Sequence, residues 1–395
     1  MKIQYSESLS EETNIIMSEI DSSLTLKGTV TGDIYLSIAF PFKLSRIIPA
    51  YQDISTILEN VYVFRNPYFS QYDICFVRGF EKKPVGFLFK PTIIFDDDAK
   101  YLWKDNKVLQ TAIYRSFLNF FMGNISLRPN TIKTQREVDY LFHDFLPSDV
   151  IFGVFPHQWN TDFSDKYQTQ LLLNLYLKGF YLLNQNGDEL YTPPYISFQE
   201  DNFDSLGSHE TQFYKHLDLL QISDKVTSNA YCSQYSKIIL KHNSNQVAKF
   251  HQVYALVEIF KDEILKLELN DKICERRMAS TMTGNQIQKE VLEISRDSYS
   301  INKLFTKYRN ASNDILDILF LEISYFLEDS RDKRELEDFK RFSQVYYYLR
   351  NIIVHDIQFL FIGEKQKIKK LREDFDRIIY RLEYLVLETL CHLNL

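Results

Sequence analysis

Val247-Ala248-Lys249-Phe250-His251-Gln252-Val253-Tyr254-Ala255-Leu256-Val257-Glu258-Ile259-Phe260 opens the last third of the chain and decides how that third folds. Val247, Phe250, Tyr254, Val257 and Phe260 recur three or four residues apart, a spacing that lines one face of an α-helix and not one face of a strand. From Ser244 to Leu395 there is no proline, and Gly284 and Gly363 are the only glycines, so helices can run without a break. The same periodicity predicts a second helical region from about Ile301 to Leu327, interrupted near Asn313-Asp314, where either residue can cap a restarted helix. A third helix is expected from about Glu335 to Phe361. The last carries Leu371, Phe375, Ile378, Leu382, Leu385 and Thr389 as its buried stripe.

Upstream the pattern changes. From Leu24 to about Phe95, Ile34, Leu36, Ile38 and Phe40 alternate with their neighbours, and short apolar runs follow at Val61–Phe64, Ile74–Val77 and Val85–Phe89, as strands require. Asp98 to Phe121 reads as helix, ended by the break at Arg128-Pro129-Asn130. The next hundred residues mix helix-like pieces, such as Tyr167 to Leu183, with loop segments such as Asn184–Asp188 and Thr192-Pro193-Pro194. The expected fold class is α+β: a β-rich N-terminal domain (1–125), a mixed α/β middle region (126–243) and an all-α C-terminal bundle (244–395).

With 395 residues the chain is long enough for two or three cores, and no repeat at a solenoid period interrupts it. Neither a basic-then-apolar leader nor an apolar run near twenty residues is present, so a cytoplasmic protein without a membrane partner is expected. Cys75, Cys232, Cys274 and Cys391 lie far apart without zinc-ligand spacing and read as reduced thiols. No phosphate-cradling glycine loop occurs, and the histidines outside the motif below lack ligand spacing, so neither cofactor nor metal is expected. The net charge of -7 confines any nucleic-acid site to a local cluster. Lys365, Lys367, Lys369, Lys370 and Arg372 form the best one, although such runs are most often solvated helix faces.

The chemistry sits on the third predicted helix, in Tyr346-Tyr347-Tyr348-Leu349-Arg350-Asn351-Ile352-Ile353-Val354-His355-Asp356. Asn351 and His355 are four apart and share a helical face, and Arg350 lies about one hundred degrees round from Asn351. Three polar groups in an apolar stretch cost free energy unless paired or used. Arg-Asn followed by three residues and His is expected roughly 0.02 times by chance in a chain of this composition. Arg65-Asn66 and Arg309-Asn310 do not complete the pattern, having Ser70 and Asp314 where the histidine would stand.

This motif resembles that of the HEPN superfamily, in which an RNxxxH sequence lies on a late helix of a small helical bundle, and Lys249–Glu258 is similar to the aromatic-rich opening helix with an embedded Glu. The resemblance covers about 150 residues. It implies an endoribonuclease that cleaves RNA without metal, leaving 2′,3′-cyclic phosphate. In that chemistry His355 is the base or the matching acid, because imidazole titrates near neutrality, and Arg350 meets the charge developing on the phosphate. Asn351 would orient His355 or a phosphate oxygen, Glu258 would hold Arg350, and Tyr347 would support the site. One motif per chain implies a homodimer with a composite site. The large remainder would sense a trigger or bind an inhibitor, phage-derived or nucleic acid, as in anti-phage or toxin proteins that abort infection.

Other readings stand beside this one. Arg350 and His355 form a structural pair if Arg350 bridges to Asp356 or Glu258, and some HEPN-like domains only dimerise or bind a protein or nucleic-acid partner. Asp96-Asp97-Asp98 with Lys100 faintly resembles the end of a metal-dependent nuclease motif, but a solvated turn with an Asp helix cap accounts for it better. Trp103 and Trp159 could stack on bases, but core packing is the default reading for them.

Overall fold

The structure is a computed structural model. It describes residues 18–20, 23–29, 33–39, 60–66, 69, 74–91, 93, 104–105, 110, 150–155, 164–182, 216–237, 246–278, 283–294, 296–308, 314–330, 340–355 and 365–393. In chain order the strands are β1 (Ser18–Ile20), β2 (Ser23–Thr29), β3 (Asp33–Ala39), β4 (Asn60–Arg65), β5 (Cys75–Arg78), β6 (Pro84–Phe89), β7 (Val150–Phe155), β8 (Tyr181–Leu182) and β9 (His216–Asp218). The helices are α1 (Asp165–Leu177), α2 (Asp224–Thr227), α3 (Ala230–Lys237), α4 (Gln246–Met278), α5 (Gly284–Ile294), α6 (Asp297–Thr306), α7 (Asp314–Ser330), α8 (Phe342–His355) and α9 (Lys365–Cys391). The fold is α+β. Of the helix read over Asp98–Phe121, Lys104, Asp105 and Gln110 are described, the first two in a turn and Gln110 helical; the rest of it, the loops at 184–194, Trp103, Trp159 and Asp96–Lys100 fall outside the described residues.

Strands β1, β2 and β3 form an antiparallel meander, with Thr29 opposite Asp33 and Ser23 opposite Ala39. A six-stranded sheet runs β8-β4-β7-β6-β5-β9, antiparallel throughout except for the parallel β5–β9 pair at one edge. Its centre is β7, from the middle region of the chain, which pairs with β4 and β6. The sheet therefore joins both sides of the 125/126 division read from the sequence. All six residues of Val150-Ile151-Phe152-Gly153-Val154-Phe155 are buried, which is why this strand shows no alternation. Gly86 on β6 makes room for β7: a Cβ there would stand 2.2 Å from the Phe155 ring and 2.7 Å from the Val154 carbonyl oxygen.

Helix α1 covers the sheet face formed by Phe64, Cys75, Val77, Leu88, Ile151 and Phe155. It ends on Gly179, whose φ of 83° lets its N–H reach the Tyr176 carbonyl and the Phe180 N–H reach the Leu175 carbonyl. That left-handed stop satisfies two orphan carbonyls and turns the chain into β8.

The C-terminal helices close a ring. α4 packs against α6, α6 against α8, α8 against α7, α7 against α9 and α9 back against α4. The predicted stripe of α9 is buried at every position, from Leu371 to Thr389, and the break between α6 and α7 falls where Asn313-Asp314 indicates. Helix α5 has no counterpart in the sequence reading. The core of this ring runs on into Leu173, Tyr176, Val226, Cys232 and Tyr235, so it extends across the 243/244 division.

Two buried polar clusters tie the helices together. The Glu383 carboxylate on α9, fully buried, takes Lys249 Nζ of α4 at 2.8 Å, the Tyr235 hydroxyl of α3 at 2.5 Å and the Tyr176 hydroxyl of α1 at 3.2 Å. Arg381, buried on α9, pairs with Glu322 of α7. Cys75, Cys232 and Cys391 are buried free thiols, and burial pushes the first two up to about 12. Among the described residues no helix is long and apolar enough to cross a membrane, and no group of three or more metal-ligating side chains is assembled.

Candidate functional site

Helix α8 presents the motif. Its start is fixed by Gln344, whose side-chain oxygen accepts from the backbone N–H groups of Lys340 and Arg341, closing the first turn from within. Phe342, Val345, Tyr346, Leu349, Ile352 and Ile353 are buried and hold the helix in the ring, so the helix is anchored on one side and open at its C-terminal end. Arg350 and Asn351 are half-buried there, and Val354 and His355 are exposed.

Two matched ladders meet at this end. Phe250, Tyr254 and Glu258 stand four residues apart on α4, and Phe342, Tyr346 and Arg350 stand four apart on α8. Ring contacts join Phe250 to Tyr346 at 6.4 Å and Tyr254 to Tyr346 at 5.8 Å, and the Arg350 guanidinium lies 5.5 Å from the centroid of the Tyr254 ring. The facing rows of the two helices are aromatic at one end and charged at the other. The Phe305 ring closes the apolar end against Phe342 and Tyr346.

At the charged end, Arg350 Nη1 donates to Asn351 Oδ1 at 3.0 Å. Its Nε is buried without a hydrogen-bond partner among the described residues, as is the Tyr346 hydroxyl. Among the described residues Arg350 has no carboxylate partner. The expected clamp by Glu258 is not formed. The Glu258 carboxylate instead accepts from Lys261 Nζ at 2.8 Å and from the Tyr254 hydroxyl. Lys261 reaches on to Asp297 at 3.0 Å, at the start of α6. Burial opposes the charge on Lys261, but the two carboxylates outweigh it and raise its pKa above the ordinary lysine value. Burial, followed by the hydrogen bond to Glu258 and that carboxylate's charge, raises the Tyr254 hydroxyl as well and keeps it protonated.

Asn351 bonds Arg350 and makes no hydrogen bond to His355, so the orienting role read for it falls on the arginine. His355 stands exposed in the last turn of α8 with no hydrogen-bond partner among the described residues. Tyr347 is half-buried against the core. The basic run opens α9: Lys365, Lys369, Lys370 and Arg372 are exposed there, and Lys369 pairs with Glu373 at 3.7 Å. Residues 356–364 between His355 and this run, and the Lys367 side chain, lie outside the described residues. Tyr254, Lys261 and Asp297 were missed as site residues. The i, i+4, i+8 spacing of Phe250-Tyr254-Glu258 beside that of Phe342-Tyr346-Arg350 is the signal that could have found the first.

The geometry offers a half-buried guanidinium with N–H donors unused among the described residues and an exposed imidazole five residues further along the same helix. Such a pair can hold an oxyanion and exchange a proton with a group beside it. Comparison of the chain with protein-family models, with curated proteins and with solved structures found no match in any of the three.

Proposed function

We propose that this chain is a metal-independent, HEPN-type endoribonuclease acting in the cytoplasm. His355 moves a proton to or from the reacting oxygens, Arg350 stabilises the charge gained by the scissile phosphate, and Asn351 fixes Arg350. Two copies of the chain face each other to supply an acid, a base and two guanidinium groups. Lys365, Lys367, Lys369, Lys370 and Arg372 draw in the RNA backbone. The N-terminal and middle regions respond to a trigger or inhibitor, in anti-phage defence or as a toxin.

One observation carries this reading: the Arg350 guanidinium is half-buried, with Nε wholly enclosed, yet among the described residues no carboxylate neutralises it. A cation in such a place is costly unless an anion arrives to pair with it. Purified protein incubated with RNA in EDTA should yield products ending in 2′,3′-cyclic phosphate. Arg350→Ala and His355→Ala should each lower cleavage by about 100-fold or more while remaining folded. Strict dependence on magnesium, or full activity in both variants, would refute it.

A second reading is a non-catalytic interaction protein that dimerises through its helices. It is favoured by Leu321 and Tyr325, one turn apart on α7 and 51% and 65% exposed. It expects His355→Ala to leave the biological effect of expression intact.

A further inference from the structure

An arginine that must receive a phosphate needs to be held still without losing its charge or its N–H donors. A carboxylate clamp achieves the first at the expense of the second, since a bidentate Asp or Glu occupies two donors and neutralises the cation. The surroundings of Arg350 solve this differently. Among the described residues its one hydrogen bond goes to a neutral amide, Asn351 Oδ1, and its planar group rests over an aromatic face, that of Tyr254 at 5.5 Å from the ring centroid. A π face attracts a cation without accepting from any particular N–H. The ring is itself fixed. Tyr254 is only 8% exposed, stacked on Phe250 and tilted against Tyr346, and its hydroxyl is tied to Glu258. Glu258 is held by Lys261, and Lys261 by Asp297 on α6.

We propose that Tyr254 is the positioning residue for Arg350, its ring orienting the guanidinium from α4 while the Glu258–Lys261–Asp297 chain locks that ring against α6. The carboxylate on the opening helix thus serves the arginine at one remove, through the tyrosine. The proposal rests on the nuclease reading for its consequence in cleavage, but its geometry is testable apart from any activity.

Two readouts separate the cases. The first is the side-chain Nε–H resonance of Arg350 in nitrogen-labelled full-length protein, assigned with Arg350→Lys, because a proton held over a ring is shifted by the ring current. The second is cleavage, split into kcat and KM. Tyr254→Phe keeps the ring against Phe250 and Tyr346 but frees it from Glu258, so it should retain the ring-current shift and lower kcat by no more than about 3-fold, the share of the hydroxyl lock. Tyr254→Leu and Tyr254→Met should move the resonance to that of a solvated arginine and lower kcat by about 10- to 100-fold with a smaller change in KM, the size expected for a misplaced catalytic group. If wild type cleaves no RNA, the nuclease reading fails and the resonance alone decides the positioning role. An unmoved resonance in the aliphatic variants overturns the proposal. If those variants fail to fold, as judged by far-UV circular dichroism, Tyr254→Phe decides. In that variant a resonance at the position of a solvated arginine overturns the proposal, because the ring is still present, whereas a retained ring-current shift upholds it.

Discussion

Replacing Glu383 with glutamine tests the account of how α4 is held where it can face α8. The carboxylate is fully buried and receives one ammonium and two tyrosine hydroxyls, from α4, α3 and α1. In the amide one oxygen survives to serve Tyr235, but an NH2 group replaces the oxygen facing Lys249 and Tyr176, setting donor against donor. Lys249, 1% exposed, then loses the charge that offsets its desolvation. Breaking one side of a buried pair costs about 3–5 kcal/mol, a large share of the roughly 5–15 kcal/mol that holds most domains folded. Burial already draws the Lys249 pKa below the ordinary lysine value, against the opposing pull of Glu383. Without Glu383 the depression deepens, the unfolded chain binds more protons than the folded one, and stability must rise with pH. Urea unfolding followed by far-UV circular dichroism should therefore show a deficit of about 3–5 kcal/mol at pH 7 that shrinks by pH 9.5, with an unchanged slope. Lys249→Met with Glu383→Leu should recover part of it, the Tyr235 and Tyr176 hydroxyls still losing this acceptor. A deficit under about 1 kcal/mol, or a double variant as weak as the single, would show that the pair does not bear the weight assigned to it.

Asp376 on α9 is the clearest case of a carboxyl that the fold disfavours when charged, since burial pushes it up to about 6. Between the unfolded value and about 6 the folded chain binds the extra proton, so this contribution is present below the unfolded pKa and lost as pH rises through 6. Asp376→Asn should therefore raise stability by about 1–2 kcal/mol at pH 7.5 and by almost nothing at about pH 3, a discounted share of the ~1.36 kcal/mol per pKa step. At the sheet, Gly86→Ala should cost about 3 kcal/mol in thermal unfolding, because the new Cβ meets the Val154 carbonyl oxygen at 2.7 Å. Gly284→Ala, where nothing lies within 4 Å, should be neutral or mildly stabilising, and equal effects at the two sites would refute the packing argument.

What the sequence determined by itself is local. A 3.6-residue period is written into consecutive side chains, so the stripes of α4 and α9, the break between α6 and α7, and the placing of Arg350, Asn351 and His355 on one helix could all be read without coordinates. So could β4, β5 and β6. The local pattern also held α5, in the capping box of Thr283 and Gln286, where the Gln286 oxygen accepts from the Thr283 N–H at 2.9 Å, though it was not read. Tertiary structure alone decided which distant groups meet. Val150–Phe155 is apolar at every position, and such a run reads equally as buried helix or central strand until the neighbouring strands are known. Glu383 and Lys249, like Glu322 and Arg381, read as ordinary charged residues until packing brings each pair together away from water. The motif named the arginine, but its support came from a tyrosine on another helix, because a cation selects its neighbour by where the backbones bring rings and carboxylates, and spacing along the chain carries no record of that choice.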